Sequence, residues 1–209
     1  MNKRFVGIVF AIIVVAAGFM WLTKPAEDTS SSSPAASDHV KGEGAKKVTL
    51  VEYGDFQCPA CAVYFPIVER VVDAHKADIT FQFRNFPLES LHQNARAASR
   101  AAEAAHLQGK FWEMYSSLYT NQDSWKSTSD PLTLFTNYAT QIGISDTTKF
   151  TDDYKSAAVN DVINADIKEG QKLGLTGTPT FVLNGKVVDT PNDEASFAKL
   201  IEDAISAAK

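Results

Sequence analysis

Two thiols three residues apart, Cys58 and Cys61, are the side chains here best suited to do chemistry. They sit in Cys58-Pro59-Ala60-Cys61, after an apolar run (48–53) and before a helical pattern from Ala62 to Val72. At a helix start both thiols share one face of the first turn. The first meets free N–H groups and the positive end of the helix dipole, which stabilise an anion. A lowered thiol pKa yields thiolate, the reacting species in thiol–disulfide exchange. Zinc is the competing use of such a pair, but it needs two further ligands at matching spacing. The chain has no other cysteine, and His39, His75, His92 and His106 form no such pair, so no metal is expected. Glu52, six residues before Cys58, is a carboxylate inside a strand that reads as buried. Facing water it would be a plain strand-end acid. Buried near Cys61, its raised pKa would suit a proton acceptor working near neutral pH.

The elements that must position these residues follow from pattern and punctuation. The strand over 48–53 is bounded by Gly54-Asp55. Pro59 fits the first helical position, and Pro66 interrupts the helix behind it, where a kink is expected. Residues 79–86 alternate as a second strand, closed by Pro87. A helical tract runs from 88 to 173. Ser90 to Gln93 has capping-box spacing, and an alanine-rich helix follows it and stops at Gly109. An aromatic stripe over 111–119 reads as core. Residues 121–129 read as a polar loop holding Trp125. Further helices start at Asp130-Pro131, at Ser145-Asp146 and at Ala157. Strands return at 180–183 and 186–189 around Asn184-Gly185, a hairpin turn. A final helix carries Phe197, Leu200, Ile201, Ala204 and Ile205 on one face.

Before this domain the chain changes character. Residues 1–4 are basic, and 5–22 form an uncharged apolar run just long enough to span a bilayer. Lys3 and Arg4 predict a cytoplasmic start and an exported remainder. A cleaved signal peptide would place small residues where Phe19 to Leu22 stand, so an uncleaved single-pass anchor is the better reading. Residues 23–47 read as a flexible linker, with His39 solvated in it. A net charge of −5, without a basic, aromatic-interleaved stretch, argues against a nucleic-acid partner.

From Lys46 to Lys209 this order resembles the thioredoxin superfamily, and within it the DsbA-like thiol:disulfide oxidoreductases. The resemblance rests on Glu52 to Cys61, on Arg84-Asn85-Phe86-Pro87-Leu88 and on Gly177-Thr178-Pro179-Thr180. It implies an α/β thioredoxin fold over 48–87 and 174–209, with a helical domain inserted at 88–173. It implies a redox-active Cys58–Cys61 disulfide, with Cys58 as solvent-facing nucleophile and Cys61 as resolving thiol. Pro59 and Ala60 would form the active-site loop. Pro179 would be a cis proline beside the sulfurs, and Thr178 would offer its backbone to an extended substrate. Glu52 stands where relatives carry a buried acid. Ala60 replaces the histidine of the best-known periplasmic oxidases, which predicts a lowered Cys58 pKa but a less oxidising couple.

The expected function is that of an oxidase in the cytoplasmic membrane of a bacterium, its catalytic domain outside. A monomer without cofactor would donate its disulfide to unfolded or reduced exported proteins. A membrane quinone-linked partner, DsbB-like or like vitamin K epoxide reductase, would reoxidise it. The same chemistry reversed, as a reductase or isomerase, is the alternative. A non-catalytic binding module on a thioredoxin scaffold is another.

Overall fold

The computed structural model describes residues 35–208. The basic start, the apolar run at 5–22 and the first part of the linker lie outside the described residues. Among those described, no helix is long and apolar enough to cross a membrane.

Five strands form one sheet: β1 (Val40–Lys41), β2 (Val48–Gly54), β3 (Ile79–Asn85), β4 (Thr180–Leu183) and β5 (Lys186–Val188). Their spatial order is β1-β3-β2-β4-β5. β2 and β3 are parallel, joined by the crossover helix α1 (Pro59–His75), and the other three pairings are antiparallel. α1 is a single helix continuous through Pro66. Between β3 and β4 the chain inserts six helices: α2 (Ala95–His106), α3 (Phe111–Thr120), α4 (Gln122–Trp125), α5 (Pro131–Gln141), α6 (Thr147–Lys155) and α7 (Ala157–Lys172). α8 (Glu194–Ala207) follows the β4–β5 hairpin. This is an α/β thioredoxin fold with a helical insertion.

Alternation explains the core. Val48, Leu50 and Glu52 of β2 and Ile79, Phe81 and Phe83 of β3 are all fully buried, as side chains two apart on one sheet face should be. α1, the alanine-rich α2 and the aromatic α3 contribute to the same core. Tyr53 points to the opposite face, where it packs with Phe86, Leu175 and Val182. Asn184 and Gly185 both take positive φ, +50° and +78°, as the two-residue hairpin requires.

Four local expectations change. The linker does not extend to 47: Val40 and Lys41 pair with β3, and Ser37 and His39 are buried. His39 is therefore not solvated. Its ring stacks on Phe111 at 3.5 Å, and its Nε2 meets Glu103 Oε1 at 2.7 Å. The segment is polar because its partners are polar. Ser37 donates from its N–H and its hydroxyl to the fully buried Asp166, at 2.8 and 2.7 Å. Ser90 to Gln93 forms a turn, and α2 starts after Asn94, whose side chain instead bonds carbonyls of the α4 region. The polar loop at 121–129 contains α4, and Trp125 is fully buried, its indole N–H donating to Leu118 O at 2.9 Å.

Candidate active site

The site begins where β2 ends. A Cβ on Gly54 would stand 2.4 Å from the Phe83 ring, so only glycine lets the strand leave the core there. Asp55, next in the chain, is fully buried and fixes the loop. Its Oδ1 accepts from Gln57 N–H at 2.8 Å, its Oδ2 accepts from Leu88 N–H at 2.9 Å, and the same oxygen meets His92 Nδ1 at 2.6 Å. Its carbonyl accepts the Cys58 N–H at 3.0 Å. Cys58 is thereby held as the N-cap of α1, with extended backbone angles, and Pro59 occupies the first helical position.

The helical insertion grips the same loop. Gln122 donates from Nε2 to the carbonyls of Phe56 and Cys58, at 2.8 and 3.1 Å. Gln57 donates to Lys126 O at 2.8 Å and accepts from Asn94 N–H at 2.6 Å. Asp55, Gln57 and Gln122 were missed in the sequence. Gln57, inside the Glu52–Cys61 segment, carried the one usable signal, a polar residue next to the first cysteine.

Both cysteines are thiols in this structure. Cys61 is fully buried, whereas Cys58 keeps 7% of its surface open, less than a solvent-facing nucleophile implies. Pro59 and Ala60 are exposed beside it. The Cys58 thiol donates to Thr178 O at 3.3 Å. The Thr178–Pro179 peptide is cis, and both residues are half-buried at the edge of β4.

The two sulfurs differ in kind. A hydrogen bond from Cys61 is the main influence lowering the Cys58 pKa, to about 5. Burial opposes it, and the backbone N–H groups of Cys61 and Ala60 assist. Burial pushes Cys61 well above the ordinary thiol range, and its donation to Cys58 and the negative charges of Glu52 and Cys58 push it further.

Glu52 lies behind the pair, fully buried on the face of β2 that carries the core. Neither of its oxygens completes a hydrogen bond, nor do the hydroxyls of Tyr115 and Tyr119. Burial raises its pKa to about 8, with Glu69 adding and Lys41 opposing. Lys41, on β1, ion-pairs with Glu69 and lies 4.8 Å from the centroid of the Trp112 ring. So Cys58, Cys61, Glu52, Pro59, Ala60, Thr178 and Pro179 gather around one end of the sheet.

The thioredoxin family model matches residues 35–203. The chain belongs to the thioredoxin family. The matched region starts at the segment that packs on Asp166. The chain is 37% identical over 167 residues to a protein of Mycolicibacterium gilvum described as Na(+)/H(+) antiporter NhaA 1, covering 79% of this chain and 26% of that protein. The chain thus spans about a quarter of the length of the curated relatives it matches. Among solved structures, a thioredoxin-like oxidoreductase from Silicibacter pomeroyi is 28% identical, with a TM-score of 0.63 over 81% of this chain and 91% of that one. BdbD from Bacillus subtilis, in its oxidised form, has the same fold, with a TM-score of 0.69, 24% identity, and coverage of 80% and 92%. The shared fold with both solved structures runs over about four-fifths of this chain.

Proposed function

We propose that this chain is an extracytoplasmic thiol–disulfide oxidase that donates the Cys58–Cys61 disulfide to reduced exported proteins. The observation that carries the reading is the asymmetry of the sulfurs, Cys58 lowered to about 5 and Cys61 raised, beside the cis Thr178–Pro179 peptide that leads into β4. A substrate thiolate attacks Cys58 Sγ of the disulfide. A substrate–Cys58 bond forms, the Cys58–Cys61 bond breaks, and its electron pair goes to Cys61. Cys61 is a poor thiolate, so it takes a proton, and Glu52, neutral below about pH 8, is the group to give it. A second substrate thiolate then attacks the substrate sulfur of the mixed disulfide. It expels Cys58 as a thiolate, a good leaving group at that pKa. The substrate is oxidised by two electrons and the dithiol remains. Thr178, before the cis proline, positions an extended substrate segment as an added strand.

Stabilising the reduced form makes the disulfide oxidising. In this reading the run at 5–22 tethers a monomer to the cytoplasmic membrane, and a DsbB-like or vitamin-K-epoxide-reductase-like protein reoxidises the dithiol. The occurrence of a related domain within a chain named for a membrane antiporter supports work close to a membrane. Equilibration with glutathione tests the direction. The expected potential lies above roughly −200 mV, with stoichiometric oxidation of a reduced peptide. A potential near thioredoxin's, about −270 mV, assigns the chain to disulfide reduction instead.

A further inference from the structure

We propose a second site, at the C-terminus of α2, that binds a divalent cation of the zinc class through His39, His106 and Asp38. One ring nitrogen of each histidine and a carboxylate oxygen of Asp38 lie within 4.8 Å of one another. His106 Nε2 stands 3.9 Å from Asp38 Oδ1.

His39 is the observation that points to a ligand. Its side chain is 1% exposed and its Nε2 meets Glu103 Oε1 at 2.7 Å. Glu103 Oε1 also accepts from Asn85 Nδ2 at 2.6 Å, so this carboxylate is held as an acceptor. With Nε2–H donating to it, Nδ1 carries the lone pair. That Nδ1 is buried and has no hydrogen-bond partner. A buried, unsatisfied ring nitrogen costs free energy unless something fills it. A carboxylate behind a histidine whose other nitrogen is free is the arrangement that fixes the tautomer of metal-bound imidazole.

The rest of the set can close on that nitrogen. Phe111 stacks on the His39 ring and sets its plane, in which a metal must lie. The His106 and Asp38 side chains are 43% and 88% exposed, so both are free to turn inward. Bonds of about 2.0–2.1 Å bring tetrahedral ligand atoms to roughly 3.3 Å apart, a small movement from the present spacing. A surface cavity of about 200 Å³, lined by Asp38, His39, His106 and Phe111 among others, gives access. Two imidazoles and one carboxylate suit zinc and leave a fourth position for water. Bound there, the ion fastens the segment before β1 to the end of α2.

Calorimetry on the oxidised full chain in mild detergent tests this, because the disulfide removes the thiolates as competing ligands. Wild type is expected to take one equivalent of Zn²⁺, and His106→Ala and Asp38→Asn each to bind at least tenfold more weakly. Both altered residues are exposed, so folding should survive. Zn²⁺ should also raise the thermal midpoint of wild type and leave that of His106→Ala unmoved. No binding by oxidised wild type, or equal affinity in His106→Ala, overturns the site and leaves His39 as a structural partner of Glu103.

Discussion

Cys58 and Cys61 stand on one helical turn, yet their surroundings drive them in opposite directions. Cys58 gathers donors at the N-terminus of α1, while Cys61 donates its own hydrogen and is sealed from water. This gives the reduced protein a pH dependence of definite sign. Between about pH 5 and the ordinary thiol value near 9.0, the unfolded chain holds a proton on Cys58 that the native chain does not. Stability from this group is therefore full above the upper value and lost as pH falls through the lower one. The stability difference between reduced wild type and Cys58→Ser should widen from pH 5 to pH 9, by on the order of 3 kcal/mol after allowing for screening. Urea unfolding at a series of pH values measures it, and a flat difference refutes it. Glu52 runs the other way, because burial raises its pKa from 4.5 to about 8. The native state keeps a proton there that the unfolded chain releases, so stability is full below the lower value and falls as pH rises through the upper. Glu52→Gln should gain on wild type over that window, by about 2 kcal/mol or more at pH 8.5. It should also exchange disulfides at least tenfold more slowly at neutral pH, since an amide cannot give Cys61 a proton.

The loop that presents Cys58 is shared between two elements that meet only in three dimensions. Asp55 ties it to the residues after β3, and Gln122 of α4 ties its carbonyls to the insertion. Gln122→Ala would leave the buried carbonyls of Phe56 and Cys58 without this donor, at a cost of about 1–3 kcal/mol. The expected result is a lower urea midpoint with unchanged slope, together with a raised Cys58 pKa in a thiolate-absorbance titration as α1's first turn loosens. An unchanged titration would limit Gln122 to stability alone. Such cross-chain bonds mark where sequence reading stops. The strands were legible because β-branched and aromatic residues alternate over 48–53 and 79–86, and the hairpin because Asn184-Gly185 admits positive φ. The burial of Glu52 was legible too, from its apolar neighbours. Gln122 looked like one polar residue in a polar loop, and Trp125 like an aromatic of open fate. Ser90 to Gln93 had the right letters for a cap, but Asn94 is held by carbonyls of the α4 region and the helix starts beyond it. Nothing local distinguishes Gln122 or Asn94, since each depends on a partner about 30 or more residues away.

Across the whole domain, the same limit explains why residues 35–41 read as linker. Alanine, serine, aspartate and histidine cannot make a core of their own, but here they complete one made elsewhere. Asp166 of α7 is fully buried and accepts from Ser37 twice, from the Asn85 N–H at 2.9 Å and from Arg84 Nη1 at 3.1 Å. Glu103 of α2 is buried against His39 and Asn85. The segment thus bridges β3, α2 and α7, joining the sheet to the insertion. A buried carboxylate that loses its partners is far more costly than one never buried, on the order of 3–5 kcal/mol. A chain beginning at residue 42 should therefore melt roughly 10 °C below one beginning at 35, at the 2–4 °C per kcal/mol expected for a domain of this size. Ser37→Ala in the full chain should show a smaller part of the loss, because the Ser37 N–H still reaches Asp166 while the hydroxyl does not. Calorimetric melting of the three chains at one pH and one redox state is the measurement. Equal midpoints for the chains starting at 35 and 42 would mean that water replaces Ser37 and His39 without loss, and that the segment only lies on the domain rather than holding its two parts together.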